Sequence, residues 1–132
     1  MNSHDRAWVA TRKGLFELRH RARSWHIERV SFLAEPVTML LPPDDQGRML
    51  AALNLGHFGV KVQASLDAGA TWQEVAAPTY PEQPKEAIGV PWKLVLVWSL
   101  ESTGSTVWAA AGRQLRRRLG HARRQRCLAV AG

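Results

Sequence analysis

Ser65-Leu66-Asp67-Ala68-Gly69-Ala70-Thr71-Trp72 sets one carboxylate between two hydroxyl side chains, with a glycine and a tryptophan close behind. An aspartate so placed can ligate calcium, or it can accept hydrogen bonds from the turn that carries it. A calcium loop needs oxygen ligands at alternate positions. Here Leu66, Ala68 and Ala70 fill the gaps, and no second acid comes before Glu74. The turn reading uses every residue. A short carboxylate can accept backbone N–H groups of its own turn. Gly69 suits a positive φ that is costlier for any residue with a side chain. Ser65 and Thr71 can bond across the mouth of the turn, and Trp72 offers a large apolar face for packing.

Other reactive side chains are scattered. His57 lies in Gly56-His57-Phe58-Gly59, where flanking glycines would let a ligand approach the imidazole. No carboxylate close in sequence can orient that ring, so a tight turn with Phe58 packed inward is the simpler expectation. Asp44 and Asp45 follow two prolines in a turn and are expected to be solvated. Cys127 is the single cysteine, which excludes an internal disulfide; it has no evident histidine partner and suggests no zinc site. No cofactor and no metal are expected. Of the six tryptophans (Trp8, Trp25, Trp72, Trp92, Trp98 and Trp108), most fall on expected strands, where packing between sheets is the default. Trp92, preceded by Pro91 at a strand start, is the best placed to meet a ligand.

The elements that must position these residues are strands. Ala7–Thr11, Leu15–Arg19 and Ser24–Val30 read as three, with Trp25 and Ile27 on one pleat face. Val37–Leu41 is nearly all apolar, as a buried strand should be. Pro42–Gly47 is a strong turn signal, and Met49–Leu53 follows. Val60–Gln63 enters the octapeptide and Thr71–Val75 leaves it, which reads as a hairpin. Pro78–Lys85 is a proline-rich loop. Trp92–Trp98 and Thr106–Ala110 resemble the first two strands of the preceding group. Trp25 and Trp72 stand 47 residues apart, close to the period of a four-stranded propeller blade. Counted back from Trp25, His20 and Ala22 take the places of Asp67 and Gly69, so the first copy is degenerate.

The pattern S-x-D-x-G-x-T-W over Ser65–Trp72 resembles the Asp-box, or BNR repeat, of sialidase-like β-propellers. The resemblance covers residues 7–110. It implies an all-β fold: a partial β-propeller with blades near 7–30, 36–76 and 92–110, the N-terminal portion of a longer ring, followed by a basic irregular or helical tail. It implies a structural role for Ser65, Asp67, Gly69, Thr71 and Trp72. It also raises glycoside hydrolysis, which in most such enzymes needs two carboxyl groups, or in sialidases a tyrosine nucleophile with an acidic partner. The only tyrosine, Tyr80, has Glu82 two residues on, but a loop cap is the simpler expectation for both. Arg6 and Arg12 form no recognisable arginine clamp. The resulting expectation is a sialidase-like propeller that is inert as this chain. A hydrolase with an incomplete site and a scaffold for glycan or protein are the alternatives. An open sheet edge would favour self-association.

Composition changes near Ala110. Residues 1–111 hold equal numbers of basic and acidic side chains, and the net charge of +7 comes from seven arginines after Ala111. No acid follows Glu101. The expectation is that residues 111–132 are an out-of-frame tail, or that of a similarly truncated gene product, since arginine, alanine, glycine and leucine share GC-rich codons. Leu115, Leu119 and Ala122 could form a helical stripe, although Gly120 weakens a helix. No aromatic is interleaved for base stacking, so only nonspecific polyanion binding is expected. No apolar run reaches the ~18 residues of a membrane span. Nor does the N-terminus have a signal-peptide core, which makes a cytoplasmic chain the default.

Overall fold

The computed structural model describes residues 5–79, 82–86, 92–103, 106–113 and 126–131. The fold is all-β: three antiparallel sheets, with no α-helix and no closed ring among the described residues. Sheet 1 comprises β1 (Arg6–Thr11), β2 (Gly14–Arg21) and β3 (Ser24–Ser31) in sequential order. Sheet 2 comprises β4 (Val37–Leu41), β5 (Met49–Asn54), β6 (Val60–Ser65) and β7 (Gln73–Val75), again sequential. Sheet 3 comprises β8 (Leu94–Thr103), β9 (Thr106–Arg113) and β10 (Arg126–Ala131). Every connection within a sheet that the structure describes is a hairpin, as short turns between alternating runs require.

Sheet 2 is covered on both faces, which explains why β5 is almost wholly apolar. Alternate residues point to opposite faces of a strand. Ala51 and Leu53 therefore pack toward sheet 1, with Leu15 and Val37. Ala52 and Leu50 pack toward sheet 3, with Val97, Leu100, Ala109 and Ala111. A bulge at Thr38 keeps β4 in step. Val37 faces Leu53 and Met39 faces Ala52, so one extra residue sends Val37 and Met39 to opposite cores. The Thr38 hydroxyl lies 3.2 Å from Ala52 O and 3.0 Å from Val97 O, tying sheet 2 to sheet 3 at the bulge.

The face of sheet 1 that meets sheet 2 is partly polar. Register places Arg6 opposite Arg19 and Glu17 opposite Arg29. Glu17 is only 4% exposed. Arg6 Nε donates to Glu17 Oε1 at 2.8 Å, Arg19 Nε lies 3.4 Å from the same oxygen, and Arg29 Nη1 lies 3.4 Å from Oε2. One buried carboxylate thus holds three guanidinium groups on one sheet face.

The structure corrects the sequence reading in several places. The basic tail is not wholly irregular or helical: Arg126–Ala131 form β10, paired with β9 from Arg126↔Ala111 to Ala131↔Thr106. The run Cys127-Leu128-Ala129-Val130-Ala131 is apolar enough to pair as a strand, and the arginines ahead of it hide the signal. The degenerate copy ahead of Trp25 is no Asp-box turn. It is a tight hairpin through Ala22 and Arg23, both at positive φ (50° and 67°), the backbone of a type I′ turn. Thr71 and Trp72 precede β7 instead of starting it: the Thr71 N–H and hydroxyl serve the turn, and the Trp72 indole reaches Ser31 of sheet 1. Trp25 and Ile27 do share a pleat face, but it points to solvent: they are 50% and 61% exposed.

Candidate functional site

Residues 66–72 join β6 to β7, and their polar groups close on one another. Asp67 Oδ1 accepts the Thr71 N–H at 2.8 Å and the Ser65 hydroxyl at 2.7 Å. Asp67 Oδ2 accepts the Thr71 hydroxyl at 2.6 Å. Ser65 Oγ in turn accepts the N–H of Gly69 at 2.9 Å and of Asp67 at 3.3 Å. The two hydroxyls therefore meet on the carboxylate and not on each other. The Thr71 side chain first, then its N–H, then Ser65, hold the Asp67 carboxyl down from 3.8 to about 2. Gly69 sits at φ 85°, where a side chain would be strained whatever the space. Ala68 also has positive φ, 54°. It is pinned from both sides: its N–H donates to Gly47 O at 2.8 Å and its carbonyl accepts Arg6 Nη2 at 3.2 Å.

This turn also fastens sheet 2 to sheet 1. Trp72 Nε1 donates to Ser31 Oγ at 3.3 Å, and the Trp72 ring lies 5.0 Å from that of Phe32. Arg6, which reaches the Ala68 carbonyl, stacks over Trp8 at 4.2 Å and is paired with Glu17.

The opposite end of sheet 2 carries a cleft of about 880 Å³. The strand directions put them apart: the turn follows the end of β6, whereas the cleft gathers the start of β4 and the end of β5. Its chemistry comes from Arg12, Glu35, Asn54, Phe58 and Trp98. Arg12 lies just past β1, Glu35 in the approach to β4, and Asn54 at the end of β5. Asn54 Oδ1 accepts the Gly56 N–H at 3.1 Å, which shapes the 3-10 turn Gly56–Phe58. Trp98 is brought to the cleft by an irregularity between Val97 and Ser99 of β8. The described lining thus offers one cation, one carboxylate, an amide and two aromatic faces. Sequence reasoning passed over Glu35, Asn54 and Glu17. The i, i+2 spacing of Leu15, Glu17 and Arg19 was the available sign that Glu17 points toward the core.

The other sequence candidates are dispersed. His57 is exposed on the 3-10 turn, its ring 5.9 Å from and edge-on to that of Phe58. Phe58 is 78% exposed, so the expectation of an inward Phe58 is corrected: Gly56 and Gly59 both turn at positive φ and carry the tip outward. Trp92 is half-buried, and its backbone N–H donates to Gln83 Oε1 at 3.0 Å. Tyr80 lies outside the described residues; Glu82 is exposed. Asp44 caps its own turn, accepting Gln46 N–H and Arg48 N–H at 2.9 Å and Arg48 Nε at 2.6 Å. The Arg48 N–H and then its side chain lower the Asp44 pKa. Arg6 and Arg12 stand at opposite ends of β1 and share no site. Among the described residues no three His, Cys, Asp or Glu side chains cluster as metal ligands, and no helix is long and apolar enough to cross a membrane. No protein-family model matches the chain, and no curated protein is significantly similar to it.

Proposed function

We propose that the three sheets are consecutive blades of a sialidase-like Asp-box propeller, and that the chain binds a glycan without cleaving it. The observation that carries this reading is the Asp67 carboxylate. Both its oxygens are engaged by Ser65 and Thr71, at the end of sheet 2 away from the cleft. The motif's only acid is thereby committed to the turn. A hydrolase needs a second carboxyl group or an activated tyrosine across the scissile bond, and Glu35 is the one carboxylate in the described lining of the cleft. Trp98 and Phe58 offer surfaces on which a sugar ring can stack, while Arg12, Glu35 and Asn54 supply hydrogen-bond partners for its hydroxyls.

The test pairs a glycan array with fluorogenic glycoside assays on the full chain. Binding is expected without turnover, with Trp98→Ala weakening it by on the order of tenfold or more. Turnover abolished by Glu35→Gln would replace this reading with the hydrolase one. Binding of a protein but no glycan would make the chain a protein scaffold instead.

A further inference from the structure

Sheets 1, 2 and 3 stack face to face, and each internal interface joins two different faces. Sheet 1 presents Trp8 and Leu15 to the Val37–Leu40–Ala51–Leu53 face of sheet 2. Sheet 2 presents Met39, Leu41, Leu50 and Ala52 to the Val97–Leu100–Ala109 face of sheet 3. Among the described residues the stack therefore ends in two uncovered faces of opposite kind. One is the far side of sheet 1. Register sets Val9, Phe16 and Val30 in one cross-strand row and Ala7, Leu18 and Ile27 in the next, with Trp25 opposite His20. Val9, Val30, Ile27 and Trp25 are all exposed. The other is the far side of sheet 3, where Trp108 stands opposite Glu101, beside the row Ser99↔Ala110.

Trp108 shows what that second face lacks. Ala7-Trp8-Val9-Ala10-Thr11 and Val107-Trp108-Ala109-Ala110-Ala111 align without a gap and share Trp8 with Trp108 and Ala10 with Ala110. Each run lies on a hairpin strand, and Trp8 packs against sheet 2. Trp108, the matching residue, is 46% exposed, and no described sheet lies before it. The face that would cover it in the same manner is the back of a sheet, and among the described residues one such back is open, on sheet 1.

We propose that the far face of sheet 3 docks on the far face of sheet 1 in a second copy of this chain, continuing head to tail the stacking seen within one copy. Such a contact is heterologous, so it either closes into a ring or grows without limit. Closure with two copies rests on the propeller reading: it would give six sheets, within the roughly 4–8 blades of that architecture. The net charge of +7 opposes assembly, so added salt should strengthen it by screening. Phosphate binding by the arginines would be weakened by salt instead.

The test is sedimentation equilibrium of the full chain from micromolar to submillimolar concentration, in low and high salt. A species of twice the 14.7 kDa chain mass, favoured by salt, is expected. Trp108→Glu and Ile27→Glu should each weaken dimerisation by ~30-fold or more, while the far-UV spectrum keeps its β signature. Mixing the two variants should restore partial association, since each retains the face the other lacks. Dimerisation lost with Ile27→Glu but untouched by Trp108→Glu would mean sheet 1 pairs with itself and overturns the proposal. So would a monomer throughout, or aggregation insensitive to both substitutions. Open-ended growth sensitive to both would uphold the pairing of faces and sink the propeller reading on which ring closure rests.

Discussion

Asp67 and Glu17 show two ways in which a carboxylate can be used up by structure. Asp67 is at the surface, and hydrogen bonds lower its pKa from 3.8 to about 2. Its folded pKa lies below its unfolded one, so its contribution is full above about pH 4 and is lost as pH falls through about 2. Asp67→Asn should flatten that acid limb in melting experiments between pH 5 and pH 2. Ser65 is the buried member, and Ser65→Ala would leave the Gly69 N–H without its acceptor. A loss of about 1–3 kcal/mol by urea denaturation is expected. Glu17 is the opposite case, a charge inside a sheet interface. Its removal would leave three neighbouring guanidinium groups, those of Arg6, Arg19 and Arg29, without the carboxylate between them, and Glu17→Ala should cost ~3–5 kcal/mol. Glu17→Leu should cost nearly as much, which separates loss of charge compensation from loss of packing.

At the scale of elements, hairpin chemistry decides how much can be read in advance. Strands β1 to β6 lie where alternation and turn residues put them, within a residue or two. The tight basic turn at His20–Arg23 was legible between its two strands, but its type was obscure, because Ala22 and Arg23 are poor residues for positive φ and the usual Asn-Gly signal is missing. Ala22→Asn with Arg23→Gly should therefore raise stability by roughly 0.5–2 kcal/mol, seen as a higher melting temperature. Thr38 was equally silent. A threonine in an apolar strand does not announce a bulge, yet its hydroxyl spans Ala52 O and Val97 O. Thr38→Val should cost about 1 kcal/mol. The cleft was the least legible feature, because Arg12, Glu35, Asn54 and Trp98 come from separate sheets and connections and meet only through stacking. Strand β10 was masked by the arginines that precede it.

For the molecule as a whole, the stacking of three sheets is the organising fact. The middle sheet buries both faces and the outer two bury one each. Stability should therefore be graded. Leu53→Ala, at the interface of sheets 1 and 2, is expected to cost about 2–5 kcal/mol. Far-face substitutions such as Ile27→Glu should barely change monomer stability, since Ile27 is 61% exposed. The two ends of sheet 2 differ: the Asp67 turn locks sheet 2 to sheet 1, and the cleft at the other end keeps its polar groups and aromatic faces open to solvent.

The claim beneath the functional reading is that Asp67 belongs to its turn and does no chemistry on a ligand. Carbon-detected NMR titration of the Asp67 carboxyl measures this directly. A midpoint near 2, unmoved by saturating glycan, is the predicted result. A midpoint at or above the ordinary 3.8, or one displaced when glycan binds, would contradict it.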